Sequence, residues 1–134
     1  MQTSNEPYAI EKILSAATYL TASFVGFVWL IIAALSKKTV RPFLMYHILQ
    51  SIFISMLFFV ISLIWVPISY LVNFIPLVNL IPIFLQTPLP FAFGLSAIQV
   101  FTTTVILYLA ITSFLGYYSY LPIASDIIKG NLRR

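Results

Sequence analysis

From Pro42 to Ser125 this chain has no Asp, Glu, Lys or Arg, and His47 is the one titratable group of note in that stretch. Charge is strongly disfavoured in hydrocarbon, so long uncharged apolar runs are what a bilayer selects for. A soluble fold of this length needs charges along its exposed faces. With a mean hydropathy of +1.04 and 7% charged residues, the sequence predicts an integral membrane protein.

At about 20 residues per helical span, 134 residues allow three or four crossings and leave little for a soluble domain. The apolar runs are continuous, which argues against a β-barrel, whose strands alternate polar and apolar residues. The expected fold is therefore a small all-α membrane bundle forming one domain. No cysteine is present, which excludes disulfides, thiolate metal sites and a Cys nucleophile. The net charge of +4 sits in two clusters, Lys37/Lys38/Arg41 and Lys129/Arg133/Arg134. Both abut apolar segments, so they suit membrane orientation and anionic headgroups better than nucleic acid. Residues 1–12 lack the basic start and cleavage site of a signal peptide, and no removable targeting segment is expected there.

Ser4 or Asn5 is placed to cap a short interfacial helix over 1–16, with Pro7 in its first turn. A first span follows over 17–36, where Ala22 and Gly26 form a small-xxx-small pair that permits close helix contact. Pro42 suits the first turn of the next helix, expected over 43–66. There His47, Ser51, Ser55 and Ser62 form a polar stripe at helical spacing, with Gln50 beside it. That stripe either joins helices by hydrogen bonds or lines a path for something polar. Residues 67–90 contain Pro67, Pro76, Pro82, Pro88 and Pro90 and a tandem repeat starting at Asn73 and Asn79. Interior prolines remove hydrogen bonds and clash with the preceding turn, so a broken or re-entrant element is expected, with a fourth crossing as the alternative. The last span is read over 91–118, with Gln99 and Thr103 on its small or polar face, and 119–134 as a surface tail. The basic clusters should share one side, which requires two crossings between them. One span before the first cluster then puts the N-terminus on the opposite side.

The acids number three, Glu6, Glu11 and Asp126, and none falls inside a span. A lone His47 makes no metal site, and nothing near His47 and Ser51 resembles a nucleophile turn. No glycine-rich phosphate loop occurs among the four glycines. Neither catalysis nor a cofactor is expected, and without intramembrane acids a coupled ion transporter is disfavoured.

Two motifs carry a resemblance. The run Arg41-Pro-Phe-Leu-Met-Tyr46-His47-Ile-Leu-Gln50-Ser51 resembles a segment of the twenty-kilodalton Tic family of chloroplast inner envelopes and cyanobacteria. In that family a basic loop leads to Arg, an aromatic, Asn or His, then Gln and a small residue. Arg41 lies further from the aromatic than the family's Arg does. The closing run, Gly116 followed by Leu121-Pro122-Ile123 and Asp126, is similar to the family's Gly, Ile-Pro-Ile and acidic residue. Residues 13–20 weakly echo its opening apolar segment. The resemblance implies a component of the translocon that moves precursor proteins across the inner envelope, or a plasma-membrane relative in a cyanobacterium. Its implied partners are other membrane translocon subunits, precursors in transit and the bilayer. The family has two spans before its Arg–aromatic motif, whereas this sequence shows one clear span there.

Three functional expectations follow. In a translocon subunit, Arg41, Tyr46, His47, Gln50, Ser51, Ser55, Gln99 and Thr103 face a path or a partner helix. In a non-conducting scaffold the same residues join helices. A lipid-acting enzyme would need His47.

Overall fold

The computed structural model describes residues 6–121 and 124–132. The chain forms α1 (Ala9–Leu20), α2 (Phe24–Leu35), α3 (Pro42–Val72), α4 (Leu80–Gln86), a 3-10 turn (Pro90–Ala92), α5 (Ala97–Phe114) and α6 (Ala124–Leu132). They belong to two compact units, Met1–Met56 with Ile106–Arg134, and Leu57–Val105.

Two helices, α3 and α5, are long and apolar enough to cross a membrane. Their most hydrophobic windows are only 11% and 17% buried. Side chains such as Phe59, Val66, Tyr70, Phe101 and Ile111 stand exposed. So much bare apolar surface calls for hydrocarbon or protein around it.

The expected span over 17–36 is instead a helical hairpin. Helix α1 ends at Leu20, the chain reverses through Thr21–Ser23, and α2 runs back. The reversal carries an overlapping pair of C-terminal bonds, Ser23 N–H to Thr18 C=O at 2.8 Å and Ala22 N–H to Tyr19 C=O at 3.3 Å. These are the 6→1 and 5→2 bonds of a Schellman turn, which needs a left-handed residue after the cap. Ala22 takes that place at φ 49°, and Ser23 follows at φ 75°. Each 12-residue helix is about 18 Å long, too short for hydrocarbon about 30 Å thick. Ala22 therefore lies in the turn and does not share a helix face with Gly26. A left-handed Ala costs about 1 kcal/mol relative to glycine. Ala22→Gly should accordingly stabilise the protein by about 0.5–1 kcal/mol, read as a higher unfolding midpoint in detergent.

Helix α1 begins later than expected, at Ala9. The Glu11 carboxylate accepts the Tyr8 N–H at 2.9 Å, and Pro7 precedes the helix. Ser4 and Asn5 lie outside the described residues. From Glu11 onward α1 runs alongside the start of α3 in the same direction. Glu11 meets Arg41, Tyr19 meets His47 and Gln50, and Ser23 meets Ser51 and Ser55. Residues Tyr8 and Glu11 consequently line one cavity with Ser36, Lys38, Thr39, Val40 and Arg41. The described N-terminal residues and the first basic cluster thus share an end, opposite to the charge-rule expectation. The reason is the reversal at Thr21–Ser23, which no crossing separates from the basic loop.

The close of α5 returns to that end. The Tyr118 ring packs on Phe43 at 5.4 Å, and a Cβ placed on Gly116 would meet Lys12 Cε at 2.7 Å. Gly116 has φ +87° and completes a Schellman turn, with Tyr117 N–H on Thr112 C=O and Gly116 N–H on Ser113 C=O, both at 3.0 Å.

In the second unit, α3 continues past the expected stop, through Pro67 to Val72. The proline-rich segment is broken, and its other prolines sit where no helical N–H is required. Pro76 lies in a turn, Pro82 in the first turn of α4, Pro88 in an extended bridge to Ser96, and Pro90 at the start of the 3-10 turn. Helix α5 begins at Ala97, not Phe91, because Ser96 and Gln99 form a capping box. Ser96 N–H donates to Gln99 Oε1 at 2.9 Å, and Gln99 N–H donates to Ser96 Oγ at 3.4 Å.

Candidate functional site

The first three turns of α3 bury Phe43, Leu44, Tyr46, His47, Ile48, Gln50 and Ser51. Positions 43, 47, 50, 51 and 54 fall on one helical face, so the polar groups share the interior with apolar neighbours. A buried polar group is destabilising unless it finds a partner. Here the partners come from α1 below and from the tail after α5 above.

Gln50, fully buried, is the centre. Its Oε1 accepts from the Tyr19 hydroxyl at 2.8 Å and from Ser119 Oγ at 3.1 Å. Its Nε2 donates to the Ser119 carbonyl at 3.3 Å and to Ser125 Oγ at 3.4 Å. The Tyr46 hydroxyl reaches the same carbonyl at 2.7 Å and Ser125 Oγ at 2.8 Å. Ser125 Oγ also accepts the Leu121 N–H at 2.8 Å, which fixes the entry to α6. Five residues, Tyr19 from α1, Tyr46 and Gln50 from α3, and Ser119 and Ser125 from the tail, thus satisfy one another's hydrogen-bonding groups.

His47 lies beside this knot, inside a cage of rings: Phe43 at 4.6 Å, Tyr46 at 5.3 Å, Tyr19 at 5.7 Å and Tyr118, stacked, at 6.1 Å. Its Nδ1 is 2.9 Å from the Tyr19 hydroxyl. Tyr19 Oη thus lies between Gln50 Oε1, to which it donates, and His47 Nδ1, and the direction of the His47 contact follows the imidazole tautomer. Nε2 makes no hydrogen bond of ordinary geometry, although the Tyr117 backbone interacts with the ring.

A second set of bonds ties α3 to the hairpin turn. Ser23 Oγ pairs with Ser51 Oγ at 3.0 Å and Ser55 Oγ at 2.8 Å, and Ser51 Oγ donates to the Thr18 carbonyl at 3.2 Å. At the charged end, Arg41 Nη1 donates to Glu11 Oε2 at 3.1 Å, and its guanidinium lies 4.5 Å from the Tyr8 ring centroid.

The structure therefore brings together Arg41, Tyr46, His47, Gln50, Ser51 and Ser55 along one edge of α3, facing α1 and the tail. Gln99 and Thr103 belong to the second unit, where Gln99 caps α5 and Thr103 stands exposed. Gly26 lies in a tight approach: a Cβ there would be 2.6 Å from Thr18 Cγ2 and 3.1 Å from Ile48 Cγ1. Gly116 ends α5, and Asp126 stands in the first turn of α6, where a negative charge suits the helix dipole. Pro122 lies outside the described residues. The residues that sequence reasoning missed are Tyr19, Ser23, Ser119 and Ser125. None was marked by the sequence, because the partners that join them to other segments sit 28 to 79 residues away.

Among the described residues no group of three or more His, Asp or Glu is placed to hold a metal ion. The arrangement is one of mutual satisfaction, with the donors and acceptors around Gln50 turned inward. Compared with protein-family models, curated proteins and solved structures, the chain finds no match.

Proposed function

We propose that this chain is a non-catalytic membrane subunit of a protein-import translocon, in the chloroplast inner envelope or a cyanobacterial plasma membrane. Its role is to hold helices of the channel assembly together rather than to line the path with the α3 stripe. The observation that carries this reading is the closure of the stripe between Tyr46 and Ser55. Tyr46, Gln50 and Ser51 spend their hydrogen bonds on Tyr19, Ser23, Ser119 and Ser125, while the outer faces of α3 and α5 remain apolar and bare. Inward polarity holds the subunit together, and outward apolarity suits lipid and neighbouring helices. The resemblance to the twenty-kilodalton Tic family supports the choice of complex. The Tyr46–His47–Gln50 motif and the tail around Ser119 and Ser125, at first sight separate, are each other's partners. A structural subunit of another membrane complex is the second reading, favoured by a knot that needs no cargo to complete it.

Photo-crosslinking in intact membranes with an arrested precursor tests this. Probes at the exposed positions Phe59 and Thr103 should give constant adducts to membrane subunits that co-purify with the precursor. A probe at Ser51 should give adducts within the chain alone. Precursor adducts from Ser51 would refute the scaffold placement. Constant adducts to subunits that never engage a precursor would move the chain to another complex.

A further inference from the structure

The end of the molecule where the charges gather contains a cavity of about 540 Å³ between α1, α2 and the start of α3. Its lining changes character with depth. Ser36, Lys38, Thr39 and Arg41 stand at the polar loop, whereas Leu14, Trp29, Ile32 and Leu44 make an apolar body. The one acid in the lining, Glu11, is already engaged by Arg41 at 3.1 Å and by the Tyr8 N–H at 2.9 Å. The Lys38 side chain is exposed, and its ammonium makes no ion pair or hydrogen bond among the described residues. The start of α3 at Pro42 adds the positive end of a helix dipole to the same rim.

We infer that this cavity is a binding site for one anionic phospholipid, with its phosphate at Lys38, Ser36 and Thr39 and an acyl chain along Leu14, Trp29 and Ile32. A cationic, hydroxyl-bearing rim above an apolar slot matches a lipid in both charge and amphipathicity. A soluble phosphate has no use for the slot, and a zwitterionic lipid gains little from the rim. The location fits as well, since charges and half-buried tryptophan gather at headgroup level. Such a lipid would wedge the hairpin against α3 from outside, where Glu11–Arg41 closes it from within. The inference does not depend on which complex the subunit serves.

The test is lipid retention by the purified full-length protein, followed by native mass spectrometry. Phosphatidylglycerol and phosphatidylcholine of identical acyl chains are added in turn. The expected result is preferential retention of phosphatidylglycerol. Lys38→Ala should weaken that retention about fivefold, the effect of removing one cation near the headgroup. Lys129→Ala removes a cation outside the cavity and should leave it unchanged. Ile32→Trp, which fills the slot from an exposed position, should reduce retention of both lipids. Equal retention of the two lipids would overturn the proposal, as would an equal loss in Lys129→Ala. Displacement of phosphatidylglycerol by inorganic phosphate at equal concentration would replace the lipid with a free anion and overturn it too. The unfolding midpoint of Lys38→Ala, expected to match the parent because the side chain is exposed, separates lost binding from lost fold.

Discussion

Gln50→Leu should destabilise the protein by about 2 kcal/mol, the result of stranding polar groups that have nowhere else to turn. Leu has nearly the volume of Gln, so packing is little disturbed and hydrogen bonding carries the effect. Tyr19 can redirect its proton to His47, and the Ser119 carbonyl keeps the Tyr46 hydroxyl at 2.7 Å. Ser119 Oγ, fully within the interior, loses the acceptor it holds at 3.1 Å. An unmet buried hydroxyl costs about 1–3 kcal/mol, and each intramembrane-type hydrogen bond lost adds about 0.6 kcal/mol. The measurement is thermal unfolding in detergent, paired with limited proteolysis of the tail, which should be released early. The second variant is diagnostic. Ser119→Ala in the Gln50→Leu background removes the stranded group and should recover part of the loss, although each change alone is destabilising. An unfolding midpoint equal to the parent in Gln50→Leu would mean that the knot does not hold the tail.

Gly26→Leu should abolish the hairpin packing, the largest single effect expected in the first unit. The clash is not confined to one movable atom. A Cβ alone lies 2.6 Å from Thr18 Cγ2, 3.1 Å from Thr18 Oγ1 and 3.1 Å from Ile48 Cγ1, so α1 and α3 both press on the site. Thr18 is not free to turn away, because its hydroxyl donates to the Leu14 carbonyl at 2.7 Å. Overpacking of this kind costs about 1–3 kcal/mol for Gly26→Ala, and a four-carbon side chain exceeds what the gap can absorb. Pairing Gly26→Ala with Thr18→Ala removes two of the three close atoms and should restore much of the stability. Proteolytic protection at Thr21–Ser23, lost in Gly26→Leu and regained in the double variant, reports the packing directly. Unchanged protection in Gly26→Leu would show that α2 does not lie against α1.

Several element ends were legible because their causes are local. Pro42 starts α3, where its missing N–H is not needed, whereas α5, expected to reach residue 118, ends at Phe114, where Gly116 at φ +87° closes the turn. The start of α5 was equally legible in Ser96-Ala97-Ile98-Gln99. Continuous hydropathy back to Phe91 masked it, since apolarity says where a segment is comfortable and not where its helix begins. The break at Thr21–Ser23 had no such signal. No glycine, proline or charge occurs there, and Thr21-Ala22-Ser23 is composed of residues that also occur within membrane helices. Ala22 and Ser23 accept left-handed backbone because Ser23 thereby reaches Ser51 and Ser55, and because Gly26 lets α2 fold back on Thr18.

By itself, the sequence determined which stretches avoid water, where the charges lie and that helices rather than strands carry the chain. These depend on hydration of each segment and on backbone preferences within a few residues. Only the tertiary structure decided that residues 9–35 form a hairpin, that the described N-terminal residues share an end with the basic loop, and that the α3 stripe is sealed from Tyr46 to Ser55 and open at Ser62. A helical period places His47, Gln50 and Ser51 on one face but is silent about what they meet. Their partners are chosen by the summed packing of segments up to 79 residues apart, and a buried hydrogen bond forms wherever that packing leaves a donor and an acceptor together.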